Sequence, residues 1–267
     1  MRPSGVITLL TDFGTSDPFV GIMKGVILGI NPSARCVDLT HAISPQQIRG
    51  GALALRSAVP FFPAGTIHVA VVDPGVGSAR RPILIETEKG FLIGPDNGVL
   101  SLAATTLQRR CARLIENEHF LRPPVSHTFH GRDIFAPAAA HLSRGAMPAE
   151  FGPSLDSTVE LVLPAVQSIG STLRGEVVYV DHFGNLITNI AADVLASFPA
   201  RKLSVTIKAT RIAGPVTAYA AVSEGTALAM VGSWGMLEVA VRNGNASQMF
   251  AAGPGTPVTV VMESPNR

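Results

Sequence analysis

The densest group of residues able to do chemistry lies at 73–81, where the sequence reads DPGVGSARR. Asp73 follows an apolar run, two glycines let the chain bend, and an arginine pair comes next. A guanidinium beside a carboxylate keeps the carboxylate ionised and fixes its orientation. The spacing leaves open whether Arg80 or Arg81 is the partner. A tight turn with a solvated arginine pair is the alternative interpretation.

A second candidate is the segment HTFHGRD at residues 127–133, which opens an alanine-rich apolar run. A histidine at a helix start lies near the positive end of the helix dipole and tends towards the neutral form. A neutral imidazole at His127 or His130 can accept a proton or orient a water molecule, although a structural role is the alternative. The spacing of His127, His130 and Asp133 matches no zinc pattern, so we expect no metal site.

Acidic residues also fall where the first three predicted strands end, namely Asp12, Asp38 and Asp73. Ligands of a doubly wound sheet bind at the carboxyl ends of its strands. A carboxylate at Asp12 could accept both hydroxyls of a ribose diol. The alternative is that Asp12 and Asp17 satisfy backbone amides, with Asp17 capping the following helix. The loop lacks the glycine patterns of a dinucleotide fold or a Walker phosphate loop.

Apolar runs and turn residues predict the elements that must position these side chains. Short strands are expected at 6–10, 36–39 and 66–72, with helices at 18–30 and 46–58 between them. Two further strands, at 82–87 and 91–94, and helices ending at 107 and spanning 131–143 complete the pattern. This alternation predicts an α/β domain over residues 1–165, built on a doubly wound, mainly parallel sheet.

The pattern of apolar and turn-forming residues changes after about residue 147. Proline and glycine interrupt every periodic run between 147 and 172, which predicts a linker. Short alternating or apolar runs then predict a small all-β domain of sandwich or barrel type over residues 171–267. Its expected strands are 175–180, 203–208, 227–231, 236–241 and 257–262.

Composition narrows the class of protein. The 267 residues are 46% hydrophobic, which is enough to form a hydrophobic core. The net charge of +2 is too small to favour binding to nucleic acid or to an anionic membrane. No apolar stretch approaches the ~18 residues that cross a bilayer, and the first residues lack the apolar region of a signal peptide. Cys36 and Cys111 have no motif spacing, so reduced core thiols are expected. We therefore expect a soluble, cytoplasmic protein with no nucleic-acid or membrane partner.

Six segments in this order resemble the S-adenosylmethionine hydroxide adenosyltransferase family, to which the fluorinase and chlorinase enzymes are related. They are residues 11–14 (TDFG), 73–77 (DPGVG), 95–98 (PDNG), 129–133 (FHGRD), 181–185 (DHFGN) and 233–238 (SWGMLE). The resemblance covers nearly the whole chain. It implies an α/β domain followed by a small β domain. It also implies a homotrimer that binds S-adenosylmethionine (SAM) between one subunit's first domain and a neighbour's second.

The resemblance implies seven substrate-binding positions, which are Asp12, Asp17, Asp181, Asn185, Ser233, Glu238 and Val241. Asp12 is implied to bind the ribose hydroxyls, and Asn185 is implied to read adenine with the backbone around Val241. Asp17 and Asp181 are implied to lie near the methionine end.

The pocket is expected to differ from that of the halogenases at one position. Ser233 and Glu238 match positions that line the family's substrate pocket. Trp234 stands where the halogenases place an arginine that holds the substrate carboxylate, so the resemblance does not carry that contact to this chain.

The hydrolase-type members carry an Asp–Arg–His set, which falls on Asp73, Arg80 and His130. Halogenases have aromatic side chains at the positions of Asp73 and His130, so this chain resembles a water-using member. The implied reaction is attack of water on C5′ of SAM, giving adenosine and L-methionine without a cofactor. Two alternatives remain: an adenosine- or SAM-binding module with little turnover, and a halide-using 5′-halo-5′-deoxyadenosine synthase.

Overall fold

The computed structural model describes residues 1–197 and 203–262. The chain divides into two compact units, Met1–Leu161 and Val162–Arg267. The division falls within the stretch 147–172 that proline and glycine interrupt. That stretch is not wholly irregular, because short strands at Ser154–Leu155 and Gln167–Ile169 pair with the sheets of the first and second units. Pairing with a neighbour, rather than any periodicity of their own, makes these segments strands.

A seven-stranded sheet forms the centre of the first unit, in the order β2-β1-β3-β5-β4-β6-β7. The strands are β1 (Val6–Thr11), β2 (Arg35–Thr40), β3 (Thr66–Val71), β4 (Pro82–Thr87), β5 (Gly90–Pro95), β6 (Arg109–Leu114) and β7 (Ser154–Leu155). Strands β2, β1, β3 and β5 run parallel, and β4, β6 and β7 join by antiparallel pairing. The mainly parallel α/β fold is confirmed.

Helices cover both faces of this sheet. They are α1 (Phe19–Ile30), α2 (Ile48–Ala58), α3 (Ser101–Thr106) and α4 (Ala136–Ser143). Single 3₁₀ turns lie at Val59–Phe61, Glu118–Phe120 and Pro148–Glu150, and a π-helical turn lies at Gly131–Phe135. Alternate residues of β1 pack on opposite faces: Leu9 joins a core with Met23 of α1, whereas Leu10 packs with Leu55 of α2. This alternation is why the strands read as continuous apolar runs.

Three local expectations are corrected. Helix α1 begins at Phe19 with Pro18 at its N-cap, and no side chain caps it, so Asp17 is not a cap. The helix predicted at 131–143 starts with the π-helical turn before Pro137, which lies in the first turn of α4. Proline has no N–H and fixes its own φ, so it is tolerated only at such a start. Strand β6 is not predicted, because three of its six residues are arginines (RRCARL) and only Ala112 is buried.

The second unit is built on β-strands that are almost all antiparallel. They are β8 (Gln167–Ile169), β9 (Thr172–Val180), β10 (Leu186–Ala191), β11 (Leu203–Ile207), β12 (Thr210–Ala213), β13 (Pro215–Val216), β14 (Ala227–Val231), β15 (Met236–Val241) and β16 (Pro257–Met262). The order is β12-β11-β16-β9-β10-β15-β14-β13, with β8 beside β9 and only the β13–β14 pair parallel. Two short helices, α5 (Ala192–Ala196) and α6 (Ala246–Phe250), and a 3₁₀ turn at Tyr219–Ala221 accompany them. The unit is therefore β-rich, as predicted.

The length and polarity of the helices show whether any of them could cross a membrane. Within residues 1–197 and 203–262, every helix is too short or too polar to cross a membrane.

Candidate functional site

Two of the predicted site residues leave neighbouring strands at the same edge of the first sheet. Thr11 and Val71 are partners in the parallel β1–β3 pair, so Asp12 and Asp73 follow at one edge. Asp38 does not lie there. It lies inside β2, opposite Leu9 of β1, and β2 continues beyond it to Thr40. The register of the two strands shifts directly after the Leu9–Asp38 pair. The expectation that three carboxylates meet at the strand ends therefore holds for only two.

Asp73 is held by Arg80 in a nearly buried ion pair. Arg80 Nε lies 3.0 Å from Oδ1 and 2.9 Å from Oδ2 of Asp73, and Nη2 also donates to Oδ2. The side chains are 9% and 4% exposed. The planar guanidinium thus fixes the carboxylate plane as well as its charge. The guanidinium also lies 5.2 Å from the ring centroid of Phe135.

Arg80 also bridges to His130. Its Nη2 lies 2.7 Å from His130 Nδ1. A guanidinium can only donate hydrogen bonds, so Nδ1 is the acceptor and the proton of the neutral ring is on Nε2. Burial, and then the Arg80 charge, lower the pKa of His130 below its usual value of about 6.5. The arrangement therefore favours a neutral imidazole whose Nε2–H is a donor.

One contact joins these distant segments, and a second orders the histidine segment itself. Gly77 has a φ of +76°, and a Cβ there would lie 2.3 Å from the carbonyl oxygen of His127, so the 73–77 turn packs directly on the histidine segment. Asp133 is fully buried and accepts hydrogen bonds from Ser126 N at 2.9 Å and from Arg132 Nε at 2.7 Å. Asp133 thereby holds the loop that precedes His130.

The structure also separates the two neighbouring arginines. Arg81 points to a different carboxylate, with its Nε 2.9 Å from Asp96 Oδ2 and its Nη2 3.0 Å from the carbonyl oxygen of Ser157. Asp96 in turn accepts a hydrogen bond of 2.8 Å from the Val159 amide. Arg80, and not Arg81, is the partner of Asp73.

Asp12 has one oxygen engaged and one open. Its Oδ2 accepts a hydrogen bond of 2.8 Å from the backbone N–H of Gln46. Oδ1 accepts none from the residues that the structure describes, so it remains available to a hydroxyl group. Asp17 lies in the exposed segment before α1. It is solvent-facing within the first unit.

In the second unit, Asp181 and Asn185 form one tight turn. Asp181 Oδ1 accepts from the backbone N–H groups of Phe183 at 2.9 Å and Asn185 at 2.8 Å. Asp181 Oδ2 accepts from Asn185 Nδ2 at 2.9 Å. The amide of Asn185 is thereby oriented, and its Oδ1 is the atom left to accept a hydrogen bond from a ligand.

Glu238 lies on β15 and is nearly buried, at 6% exposed. It accepts a hydrogen bond of 2.6 Å from the hydroxyl of Tyr219. Burial raises the pKa of Glu238, and the nearby charge of Asp181 adds to the increase. A Cβ on Gly232 would lie 2.3 Å from Oε2 of Glu238, so a side chain at that turn would displace the carboxylate.

The turn after Gly232 presents the remaining positions. Ser233 is exposed, and the Trp234 ring packs against Tyr179 with 4.9 Å between centroids. Val241 ends β15, and its carbonyl oxygen accepts a hydrogen bond of 3.0 Å from Gly244.

Sequence reasoning missed two residues of the second-unit group. Tyr179 and Tyr219 are the two tyrosines of the chain, and with its single tryptophan they lie at or beside the predicted positions. The small number of tyrosine and tryptophan residues could have pointed to these positions, because aromatic rings with a polar end are favoured at ligand-binding sites.

A metal site does not emerge from the side chains. Among residues 1–197 and 203–262, no group of three or more His, Cys, Asp or Glu side chains is placed to hold a metal ion.

Comparison with known proteins places the chain in context. The family model for the SAM hydroxide adenosyltransferase N-terminal domain matches residues 7–152, and the model for the C-terminal domain of that family matches residues 175–259. A protein of Salinispora tropica named (R)-S-adenosyl-L-methionine hydrolase is 41% identical, over 97% of this chain and 99% of that protein. The protein of the same name from Thermus thermophilus is 39% identical, over 98% and 100%.

A more distant relative and a solved structure also match this chain. A fluorinase of an Actinoplanes species is 29% identical over 69% of this chain and 71% of that protein. The crystal structure of an uncharacterized conserved protein from Thermotoga maritima matches with a TM-score of 0.90 and 36% identity, over 96% of this chain and 99% of that one. Since the family models match both parts of the chain and the hydrolases match nearly all of it, the chain belongs to the SAM hydroxide adenosyltransferase family.

Proposed function

We propose that this protein hydrolyses (R)-S-adenosyl-L-methionine to adenosine and L-methionine. Relatives that bear this substrate in their name are 39–42% identical to the chain. The observation that carries the proposal is the single guanidinium of Arg80, which engages both Asp73 and His130. The prefix (R) refers to the sulfonium centre, because the L-methionine and adenosine parts have configurations of their own.

The reaction is a displacement at C5′ of the ribose. A water oxygen forms the new bond to C5′, and the C5′–S bond breaks with its electron pair going to sulfur. The sulfonium becomes the neutral thioether of methionine, so the leaving group needs no proton. The proton of the water is accepted by the protein and released to solvent, so the reaction liberates one proton overall. The weak nucleophilicity of water, whose pKa is about 15.7, is the main obstacle.

In this proposal two groups share the handling of that water. His130 Nδ1 accepts from Arg80, so only Nε2–H is left to face the water, and it donates a hydrogen bond to the water oxygen. Asp73 is the proton acceptor, because its Oδ1 accepts only from Arg80 Nε among the described residues. Arg80 positions both. General-base assistance of this kind contributes about 10²–10⁴ in rate, and alignment of the water with the C–S bond contributes further.

Arg80 supplies one more donor. Its Nη1 is buried without a hydrogen-bond partner among the described residues. A buried donor left unpaired costs about 1–3 kcal/mol, so an oxygen that accepts from Nη1 gains correspondingly. In this proposal Nη1 donates to the bound water or to a substrate oxygen.

The nucleoside is held by groups of both units. Asp12 Oδ1 accepts the ribose hydroxyls, and Asn185 Oδ1 accepts from the exocyclic amino group of adenine, which is a donor. Asn185 suits this role because Asp181 already occupies its amide nitrogen. The backbone at the end of β15, around Val241, lies on the adenine side.

The methionine end meets acidic and aromatic groups. Asp17, Asp181 and Glu238 suit the cationic sulfonium and α-ammonium of the substrate, and Ser233 lines the same pocket. Trp234 offers no charge for the substrate carboxylate, so in this proposal position 234 does not supply the partner of that group.

The assembly and the cellular location are proposed from the family resemblance. We propose a cytoplasmic homotrimer that needs no cofactor or metal and binds its substrate between the first unit of one subunit and the second unit of its neighbour. Light scattering gives the subunit number. Co-expression of Asp73→Asn with Asn185→Ala chains recovers part of the activity if each site draws on two subunits. A protein that is a monomer at assay concentration contradicts the arrangement.

Product identification tests the proposed reaction. The purified protein is incubated separately with (R)- and (S)-SAM, with and without chloride, and the products are separated by chromatography. Adenosine and methionine in equal amounts, formed faster from the (R) substrate, are expected. Formation of 5′-chloro-5′-deoxyadenosine would identify a halide-using enzyme. Adenosine binding in a calorimeter without turnover would identify a binding module.

A further inference from the structure

A chain of polar side chains runs from α1 to the end of β1, outside the Asp73–Arg80–His130 group. Lys24 Nζ lies 2.6 Å from Asp38 Oδ2. Asp38 Oδ1 lies 3.0 Å from His41 Nε2, at ion-pair distance but not at a hydrogen-bond angle. His41 Nδ1 lies 2.9 Å from Thr11 Oγ1, and the imidazole is only 5% exposed. Burying a polar ring is costly unless it has partners, and this imidazole has a hydrogen bond at Nδ1 and a carboxylate at ion-pair distance from Nε2, which together fix its orientation.

These contacts converge on the loop that carries Asp12. Thr11 Oγ1 accepts from the Phe13 amide at 3.2 Å, and the carbonyl oxygen of His41 accepts from the Gly14 amide at 2.8 Å. Thr11 and Gly14 flank Asp12 on its two sides. His41 therefore holds the loop both before and after the carboxylate, once through its ring and once through its backbone.

The same segment also touches Asp12 directly. Gln46 comes five residues after His41 and donates its backbone N–H to Asp12 Oδ2 at 2.8 Å. Gln46 has a φ of 66°, a left-handed conformation that is unfavourable for a residue with a side chain. Strained backbone of this kind persists where the surroundings over-determine it.

We propose that His41 and Asp38 are positioning residues that hold Asp12 in the orientation in which Oδ1 accepts the ribose hydroxyls. The inference rests on the proposed role of Asp12 and extends it. His41 does not touch the reacting atoms. It acts through Thr11 and the backbone of residues 11–14, and Asp38 acts through His41.

The chain contains a matched control. His68 is buried, at 2% exposed, and its Nδ1 lies 2.8 Å from Oγ1 of Thr8, which lies on the same strand as Thr11. The Thr8–His68 pair resembles the Thr11–His41 pair in residue types, distance and burial, but among the residues that the structure describes neither of its side chains hydrogen-bonds to the 11–14 loop. Changes at His68 and Thr8 therefore reproduce the loss of a buried threonine–histidine bond without the proposed effect on Asp12.

The test measures how strongly the protein distinguishes adenosine from 2′-deoxyadenosine, which lacks one ribose hydroxyl. The two dissociation constants are determined by calorimetry for the unmodified protein and for His41→Leu, His68→Leu and Asp12→Ala. The Thr11→Val and Thr8→Val variants form a second pair. Because valine has nearly the shape of threonine, this pair serves as the test if a histidine-to-leucine variant does not fold. Circular dichroism sets a temperature at which every variant compared is folded.

The unmodified protein should bind adenosine about tenfold or more tightly than 2′-deoxyadenosine, since a hydroxyl that donates to a carboxylate contributes at least that much. His41→Leu and Thr11→Val should reduce the ratio at least about threefold, towards that of Asp12→Ala, while His68→Leu and Thr8→Val keep it. His41→Asn, whose side-chain amide can reach Thr11 Oγ1, should recover part of it.

Two other results are informative in different ways. A full ratio in both His41→Leu and Thr11→Val would overturn the positioning role while leaving that of Asp12 in place. A ratio near one in the unmodified protein, or an unchanged ratio in Asp12→Ala, would remove the ribose role of Asp12 and the positioning role with it.

Discussion

Replacing His130 by asparagine separates its two interactions. The asparagine Oδ1 can take the place of Nδ1 and accept from Arg80 Nη2, which lies 2.7 Å from that ring nitrogen. Nothing in asparagine reaches the position of Nε2. The variant therefore keeps the contact that orders Arg80 and loses the donor proposed to face the water.

The two consequences differ in size. A hydrogen bond to a charged group contributes about 1.5–3 kcal/mol to stability, and His130→Asn retains it, so its free energy of unfolding should fall by no more than about 1 kcal/mol. His130→Leu loses that bond and should be destabilised by the larger amount. Both lose the donor that aligns the water while Asp73 remains as proton acceptor, so kcat should fall about 10²-fold, which corresponds to roughly 3 kcal/mol of transition-state stabilisation. Adenosine affinity should change by less than about twofold in His130→Asn, since the imidazole has no nucleoside contact in this account.

The pH dependence of kcat provides an independent readout. Burial and the Arg80 charge lower the pKa of His130 below 6.5, so the neutral form is present at neutral pH and is lost as pH falls through that lowered value. Protonation of Nδ1 removes the acceptor of the Arg80 hydrogen bond that orients the ring, so the unmodified protein should show an acid limb in kcat below pH 6.5 that His130→Asn lacks. Steady-state kinetics between pH 5 and 9 measure it. A His130→Asn variant with unaltered kcat, or with the same acid limb, would refute the assignment.

Two further predictions concern the scaffold. Gly77→Ala should lower both kcat and stability, because the new Cβ would lie 2.3 Å from a backbone carbonyl oxygen. The control Gly170→Ala, at a positive φ but in open space, should lower stability alone. Equal losses of kcat in the two variants would contradict this prediction. Burial lowers the pKa of His68 to about 4, so stability is complete above pH 6.5 and falls by roughly 3 kcal/mol as pH decreases towards 4. Urea unfolding of the unmodified protein and of His68→Gln measures this, and an identical pH dependence in both would refute the assignment.

The sequence predicts the elements of this fold better than the contacts between them. Strands β1 and β3 and helix α2 were expected almost where they lie, because apolar runs bounded by glycine and proline carry that signal. Strand β10 was not expected, since its central polar residues blur the pattern of its buried positions. Its identity as a strand comes from its partners β9 and β15.

The candidate site shows the same limit. Spacing proposed Asp73 with either arginine, and only the packing of Gly77 on His127 shows how Arg80 comes to lie between Asp73 and His130. The sequence places Asp38 at a strand end, whereas it lies inside β2 opposite Leu9 and its carboxylate contacts Lys24 and His41. Contacts over such long separations depend on register and loop geometry, which no local pattern encodes. The roles assigned to the binding residues remain predictions.

The central claim is that a water molecule held at Asp73 and His130 attacks C5′ of the substrate. The most direct test is turnover of (R)-SAM in water enriched in ¹⁸O, with mass spectrometry of both products. The account predicts one ¹⁸O atom in the 5′-hydroxyl of adenosine and none in methionine. Unlabelled adenosine, or label found in the methionine fragment instead, would contradict it.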